Sequence, residues 1–421
     1  MEQIKLRYQT CELANSLRVI VLRHSSPVVY CGYEIGAGTS HEQAGEEGLA
    51  HFCEHVTFKG TKHRSALDII NCLESVGGEL NAYTTKTATV YYSAILKEHL
   101  GRAVDLLSDM VFGSVYPQKE IDKEVEVICD EIESYHDSPA ELIYDDFENL
   151  VFQGTPLGHN ILGKAERVRL FTTADALRFT SAHYTPQQSV FFAYGDIDFD
   201  ELVSLLCQAL HTSPKDAVSS CEELHLPSSA ALPPCAYEGQ TIIQHRHTHQ
   251  AHVMIGCRGY SVFHPDRIAL YLLNNILGGP GMNARLNLSL RERNALVYTV
   301  ESTMVSYAQT GLWCVYFGCD AHDVARCLEL VKAELQRFIS TPLTEEELAA
   351  AKRQIKGQIG IACDNRENFA LDFGKSFLHY GWEKDITKLF REIDAVTSEQ
   401  IQAVAAQLFR PERLTTLQYV D

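Results

Sequence analysis

Nowhere in the 421 residues does an apolar run approach the ~20 residues that a membrane-spanning helix needs. The first residues, MEQIKLRYQTCELANSLRVIVL, also lack a basic segment followed by an apolar one, so no secretory leader is expected. No CxxC pair occurs among the 13 cysteines scattered from Cys11 to Cys363, and their odd number argues against a disulfide framework. Reduced thiols in a cytoplasmic compartment are the expectation. Positive charge is scarce as well: 36 lysines and arginines face 55 aspartates and glutamates, a net charge of −19. Nucleic-acid binding needs a basic footprint and is thereby disfavoured, and no membrane partner is expected. The same acidity favours solubility and gives the chain a field that attracts basic peptides.

What is present is ordinary globular material, 45% hydrophobic and 22% charged, enough for two to four domains at roughly 100–200 residues each. Its most distinctive stretch is GLAHFCEHVTFKGT, beginning at Gly48. On a helix His51 and His55 stack one turn apart, with Cβ atoms about 5–6 Å apart, and two imidazoles so placed can converge on one Zn²⁺. Glu54 sits on the edge of that face, where it can reach a metal-bound water without being a ligand itself and act as general base. Cys53 points roughly 160° away from either histidine and reads as a small buried residue. One such string among 18 histidines can arise by accident, so the reading needs a third ligand elsewhere.

The chain reads as an internal duplication of about 200 residues per copy, judged by element order and spacing. The first copy runs from SLRVIVLRHSSPVVYCGYEIGAGT through a helix at 43–58, strands in GGELNAYTTKTATVYYSAIL, a helix at 99–113 and the helix QKEIDKEVEVICDEIESY, to ELIYDDFENLVFQGTPLG. The second runs from QAHVMIGCRGYSV through DRIALYLLNNILGG, the strands of ALVYTVESTMVSYAQTGLWCVYFGCD and two helices, to ENFALDFGKSFLHYG. Between them the Ser-, Pro- and Ala-rich stretch reads as a linker. The expected division is a zinc-binding catalytic domain at 1–212, a linker at 213–238 and a metal-free repeat at 239–421. The expected fold class is α+β, two duplicated α/β-layer domains, each an antiparallel-rich sheet packed by helices. Opposite HFCEH the second copy has LYLLN, and opposite the acidic helix it has AAAKRQIKGQI. The motif is therefore no requirement of the fold, which favours a functional role.

The acidic helix after Pro117 offers the missing ligand. With Ile128 as the centre of its apolar stripe, Ile121, Ile132 and Tyr135 fall within about 40° at 100° per residue. Glu126, Asp130 and Glu133 fall on the solvent side. Glu124 and Glu131 lie within about 60° of the apolar centre and Glu120 at about 80°. A carboxylate on the core side is costly unless paired or bound to metal, so periodicity nominates Glu124 and Glu131 without choosing between them. The run HRHTHQAH puts His245, His247 and His249 on one face of a strand, but no carboxylate cluster joins them, and a structural or solvent-facing role is expected.

HFCEHVTFKGT, GGELNAYTTKTATVYY and KEVEVICDEIESYHD together resemble the pitrilysin-like metallopeptidases, the zinc peptidases with the inverted H-x-x-E-H motif. The chain looks most like the half-length subfamily that includes the mitochondrial processing peptidase and its bacterial relatives, and the resemblance covers nearly all of it. It implies one Zn²⁺ per chain held by His51, His55 and Glu131, with Glu54 as base and Glu124 supporting the site without binding metal. It also implies that Asn81, Ala82 and Tyr83 pair with the peptide substrate by β-augmentation. GGPGMNARLNLSLRERNALVYTV resembles the family's Gly-rich turn and helix, with Arg291 and Tyr298 in the positions that reach substrate near zinc. The chain departs from that pattern at Asn283-Ala284 and at Ala295, where a glycine is usual. Two domains form half of the family's clamshell, so a homodimer is expected in which Arg291 and Tyr298 serve the partner's zinc. The implied function is a zinc endopeptidase acting on peptides or unfolded segments in an enclosed chamber; the alternative is a catalytically idle peptide-binding or structural relative.

Overall fold

Long β-branched and aromatic runs alternate with amphipathic helices, and the chain forms two mixed layers of sheet and helix. The computed structural model describes residues 6–214, 237–246 and 248–421, so most of the linker and His247 lie outside the described residues. Two compact units interleave along the chain. The first draws on 6–133, 159–214 and 362–385, and the second on 134–158, 237–361 and 386–421.

In the first unit six strands are formed: β1 (Tyr8–Glu12), β2 (Arg18–Arg23), β3 (Val28–Ile35), β4 (Glu79–Thr84), β5 (Thr89–Leu96) and β6 (Ser189–Gly195). Their order is β1-β2-β6-β3-β5-β4, all neighbours antiparallel except β2 with β6. Among the described residues strand β4 is therefore an edge, paired on one side only. Odd residues of β3, from Val29 to Ile35, enter a core shared with α1 (Leu49–Thr57), α2 (Ala66–Glu74), α3 (Leu100–Gly113) and α4 (Gln118–His136). The opposite face of the sheet is covered by the helix Arg366–Tyr380, whose Phe369 and Phe373 pack on Tyr194, with Phe373 also against Phe192.

The second unit holds β7 (Thr241–His245), β8 (Ala251–Gly259), β9 (Val297–Ser306), β10 (Gly311–Cys319) and β11 (Thr415–Val420), in the order β7-β11-β8-β10-β9. Only β7 and β11 run parallel. The helix α5 (Pro139–Val151) covers one face, burying Ile143, Phe147 and Val151 against Met254, Cys314, Leu417 and Tyr419. Thus one helix of each sequence repeat packs on the sheet built from the other repeat. Both sheets are antiparallel-rich and packed by helices, as the α+β reading expects. Among the described residues no helix is long and apolar enough to cross a membrane.

Candidate metal centre and active site

The helix carrying His51 and His55 starts where the chain is forced to turn. Gly48 adopts a φ of 94°, and a Cβ there would press on the Leu162 carbonyl and on Gly163, so only glycine fits. The Glu42 carboxylate then accepts from the Gly48 and Ala50 amides at 3.1 and 2.7 Å, satisfying the first turn of α1 and complementing its positive end. His159 holds Glu42 in turn at 2.9 Å. Phe52, Cys53 and Val56 anchor the helix in the core, which turns His51, Glu54 and His55 toward α4 and β4. Cys53 is fully buried packing.

The two imidazole rings lie with centroids 4.6 Å apart. Glu131 of α4 faces both: its carboxylate oxygens stand 3.8 Å from His51 Nε2 and 3.2 Å from His55 Nε2. All three donors lie within 4.8 Å of one another. Tetrahedral zinc with bonds of about 2.0–2.1 Å needs donors about 3.3 Å apart, a spacing that the Glu131–His55 pair meets and that small side-chain shifts bring the others to. The donor set, two imidazole nitrogens and one carboxylate, is of the kind that leaves a fourth position for substrate or water. A second group with metal-ligand spacing, Asp320, His322 and Asp323, is largely exposed and drawn from one short stretch of chain.

Electrostatics at the centre are polarised. Burial, with the neighbouring His55, depresses His51 to about 4. Burial pulls His55 down too, but its hydrogen bonds to Glu124 and Glu131 outweigh that and raise it to about 9. The Glu131 carboxyl lies below its ordinary range because of the His55 hydrogen bond. Among the described residues His51 Nδ1 is buried and has no hydrogen-bond partner, so of the two histidines His55 alone is oriented from behind.

That orientation comes from Glu124, which is buried and accepts from His55 Nδ1 at 3.0 Å and from Lys59 Nζ at 2.6 Å. Burial alone would push its carboxyl up, but these two donors hold it below the usual range. Glu131 is the one that faces both Nε2 atoms, while Glu124 stands behind His55. Glu54 is buried, and Thr84 Oγ1 on β4 donates to its Oε2 at 2.7 Å. Burial raises the Glu54 carboxyl above its ordinary range, with the Thr84 hydrogen bond opposing. Lys59 and Thr84 are contacts that the sequence reading leaves aside. Lys59 carried a signal, since it falls four residues after His55.

Of the other expected residues, Asn81, Ala82 and Tyr83 occupy the edge strand β4, in register with Tyr92, Tyr91 and Val90 of β5. Arg291 and Tyr298 belong to the second unit. Arg291 is exposed on a π-helical turn, Asn287–Glu292, and Tyr298 projects from the start of β9 with 82% of its surface exposed. Ala295 between them adopts a φ of 53°, a left-handed conformation that explains why glycine suits this position. His245 donates through Nδ1 to the Asp421 backbone oxygen at 2.7 Å and joins no metal-ligand cluster among the described residues.

Residues 18–165 match the family "Insulinase (Peptidase family M16)", and residues 171–355 match "Peptidase M16 inactive domain". The chain is 31% identical over 408 residues to the uncharacterized zinc protease YmxG of Bacillus subtilis, covering 96% of each. It is 33% identical over 406 residues to the beta subunit of the mitochondrial-processing peptidase of Bos taurus, covering 94% of this chain and 81% of that one. In structure it resembles a protease from Helicobacter pylori with a TM-score of 0.88 at 19% identity, covering 99% of this chain and all of that one.

Proposed function

This chain belongs to the half-length, pitrilysin-like M16 peptidase family, and from that premise we propose that it is a zinc-dependent endopeptidase cutting peptides or unfolded segments. The observation that carries the reading is the convergence of His51, His55 and Glu131 within 4.8 Å, with Glu54 beside them. These three residues would hold the metal, and Glu124 would fix the His55 ring. A Zn²⁺ ion there supplies Lewis acidity, lowering the pKa of water and polarising a carbonyl. Glu54 takes the proton of the attacking water and delivers it to the leaving amine. The free side of β4 around Asn81, Ala82 and Tyr83 takes up the peptide as an added strand.

Arg291 and Tyr298 hold the peptide and the developing oxyanion. One chain carries both this pair and the metal ligands, and a homodimer would bring one subunit's pair to the other's metal, closing a chamber. Free thiols throughout the described residues support a reducing, cytoplasm-like compartment.

The test is Glu54→Gln, which keeps the ligands and removes the base. With the zinc-loaded protein and a quenched basic peptide, kcat should fall by about 10²–10⁴-fold while metal content stays at one per chain. Undiminished cleavage by the variant would refute the mechanism.

A further inference from the structure

The contact between Thr84 and Glu54 joins two parts of the site that otherwise belong to different elements. We propose that Thr84 is the positioning residue of the base, fixing Glu54 to the strand on which the peptide docks. This rests on the reading of Glu54 as base.

The strand's own alternation sets the geometry. Leu80 and Ala82 of β4 pack into the core beneath α1, so the period of two sends the Thr84 side chain to that same face. Tyr83 turns to the other side and packs its ring on Tyr92. At the end of the strand, where β4 last pairs with β5 as Thr84 with Thr89, the hydroxyl meets Glu54 Oε2 at 2.7 Å. The donor is the hydroxyl, so Oε2 is committed to Thr84 and the second carboxylate oxygen is left for the water.

Thr84 is itself held rigidly. The turn that follows is closed by Thr85, whose amide donates to the Ala88 carbonyl at 2.8 Å and whose Oγ1 accepts from the Ala88 amide at 3.0 Å. The Thr39 amide donates to the Thr85 carbonyl at 3.2 Å and the Ser40 amide to that of Lys86 at 2.8 Å. Buried Lys86 in turn donates through Nζ to the His159 carbonyl. Glutamate has three side-chain torsions to lose on being fixed, and a hydrogen bond from a pinned turn removes that freedom before the reaction begins. A peptide added to the free side of β4 is then placed by the same rigid element that places the base. Thr84 therefore acts on the chemical step and contributes little to peptide binding.

The experiment compares Thr84→Val, Thr84→Ala and Thr84→Ser in the full zinc-loaded chain. Valine keeps the shape and the strand preference but has no hydroxyl, and alanine gives a second hydroxyl-free variant if valine misfolds. Both should lower kcat by about 10–100-fold, with KM within about twofold and zinc content unchanged. Thr84→Ser should return kcat to within about threefold of wild type. In a Glu54→Gln background, adding Thr84→Val should change neither the residual rate nor the peptide's Kd measured by anisotropy. The proposal is overturned if both hydroxyl-free variants keep wild-type kcat, if the loss lies in KM or Kd, or if serine is as poor as valine. A dead Glu54→Gln with a silent Thr84→Val overturns this inference alone. An active Glu54→Gln, or a wild type that cleaves nothing in a peptide library, overturns the reading of the base and this inference with it.

Discussion

Lys59 sits just past the end of α1, and its ammonium reaches Glu124, which in turn accepts from His55 Nδ1. Partners behind a metal-binding imidazole fix its ring and tautomer, and losing them costs 10–100-fold in affinity as a rule. Lys59→Met should therefore weaken zinc binding by about tenfold, measured by competition with a chromophoric chelator, while Lys59→Arg keeps it. An unchanged affinity in the methionine variant would place Lys59 outside the support of the site. At this scale the sequence was informative where a period operates. The 100° helical repeat set Glu124 and Glu131 on the flanks of the apolar stripe of α4, and both reach His55 in the fold, although Glu124 is buried and Glu131 stays exposed. It was silent about which carboxylate stands where, because that depends on the axial offset between α1 and α4, a quantity that no single helix encodes. Thr84 was illegible for the same reason: its partner lies 30 residues away on another element.

Among elements, the clearest trace of duplication is a pair of glycines. Gly32 on β3 and Gly256 on β8 each sit in a buried strand, flanked by the second strand of the following pair, β5 or β10. A side chain at Gly32 would collide with the Tyr91 carbonyl and the backbone of Tyr92, and one at Gly256 with the Trp313 carbonyl and Cys314. Gly32→Ala and Gly256→Ala should each destabilise the chain by about 1–3 kcal/mol, the usual cost of overpacking. Urea unfolding would read this, and variants as stable as the parent would contradict it. Strands and helices were legible from their periods: the acidic helix expected after Pro117 is α4, and GGELNAYTTKTATVYYSAIL yields β4 and β5. The helix expected at 43–58 begins only at Leu49, because Gly45 and Gly48 both take positive φ and the Glu42 carboxylate caps the later start.

For the molecule as a whole, the distribution of residues predicts a complementation. If Arg291 of one subunit serves the metal of another, a Glu54→Gln chain and an Arg291→Ala chain, each nearly inactive, rescue each other when mixed and refolded together. A statistical mixture puts one intact site in each mixed dimer and should restore roughly a quarter of the wild-type rate. No recovery, with mixed dimers verified by tagged pull-down, would mean that Arg291 acts within its own chain or not at all. The order of the sheets also has a consequence at this scale. Among the described residues β4 is paired on one side only, whereas the buried strands β3 and β6 are paired on both sides.

The sequence by itself determined the family, the duplicated order of elements, and the residue types of the centre, since these depend on local periods and on short motifs whose chemistry is fixed by spacing along one helix. It also told that only the first copy keeps H-x-x-E-H. Tertiary structure decided the rest. The helix ELIYDDFENLV, written in the first repeat, covers the second sheet, and ENFALDFGKSFLHY, written in the second, covers the first. Both helices present an apolar stripe that either sheet could bury, so nothing local marks the exchange. The anchoring of Glu54 by Thr84 and of Glu124 by Lys59 is of the same kind, a contact made only when separate elements have been brought into register.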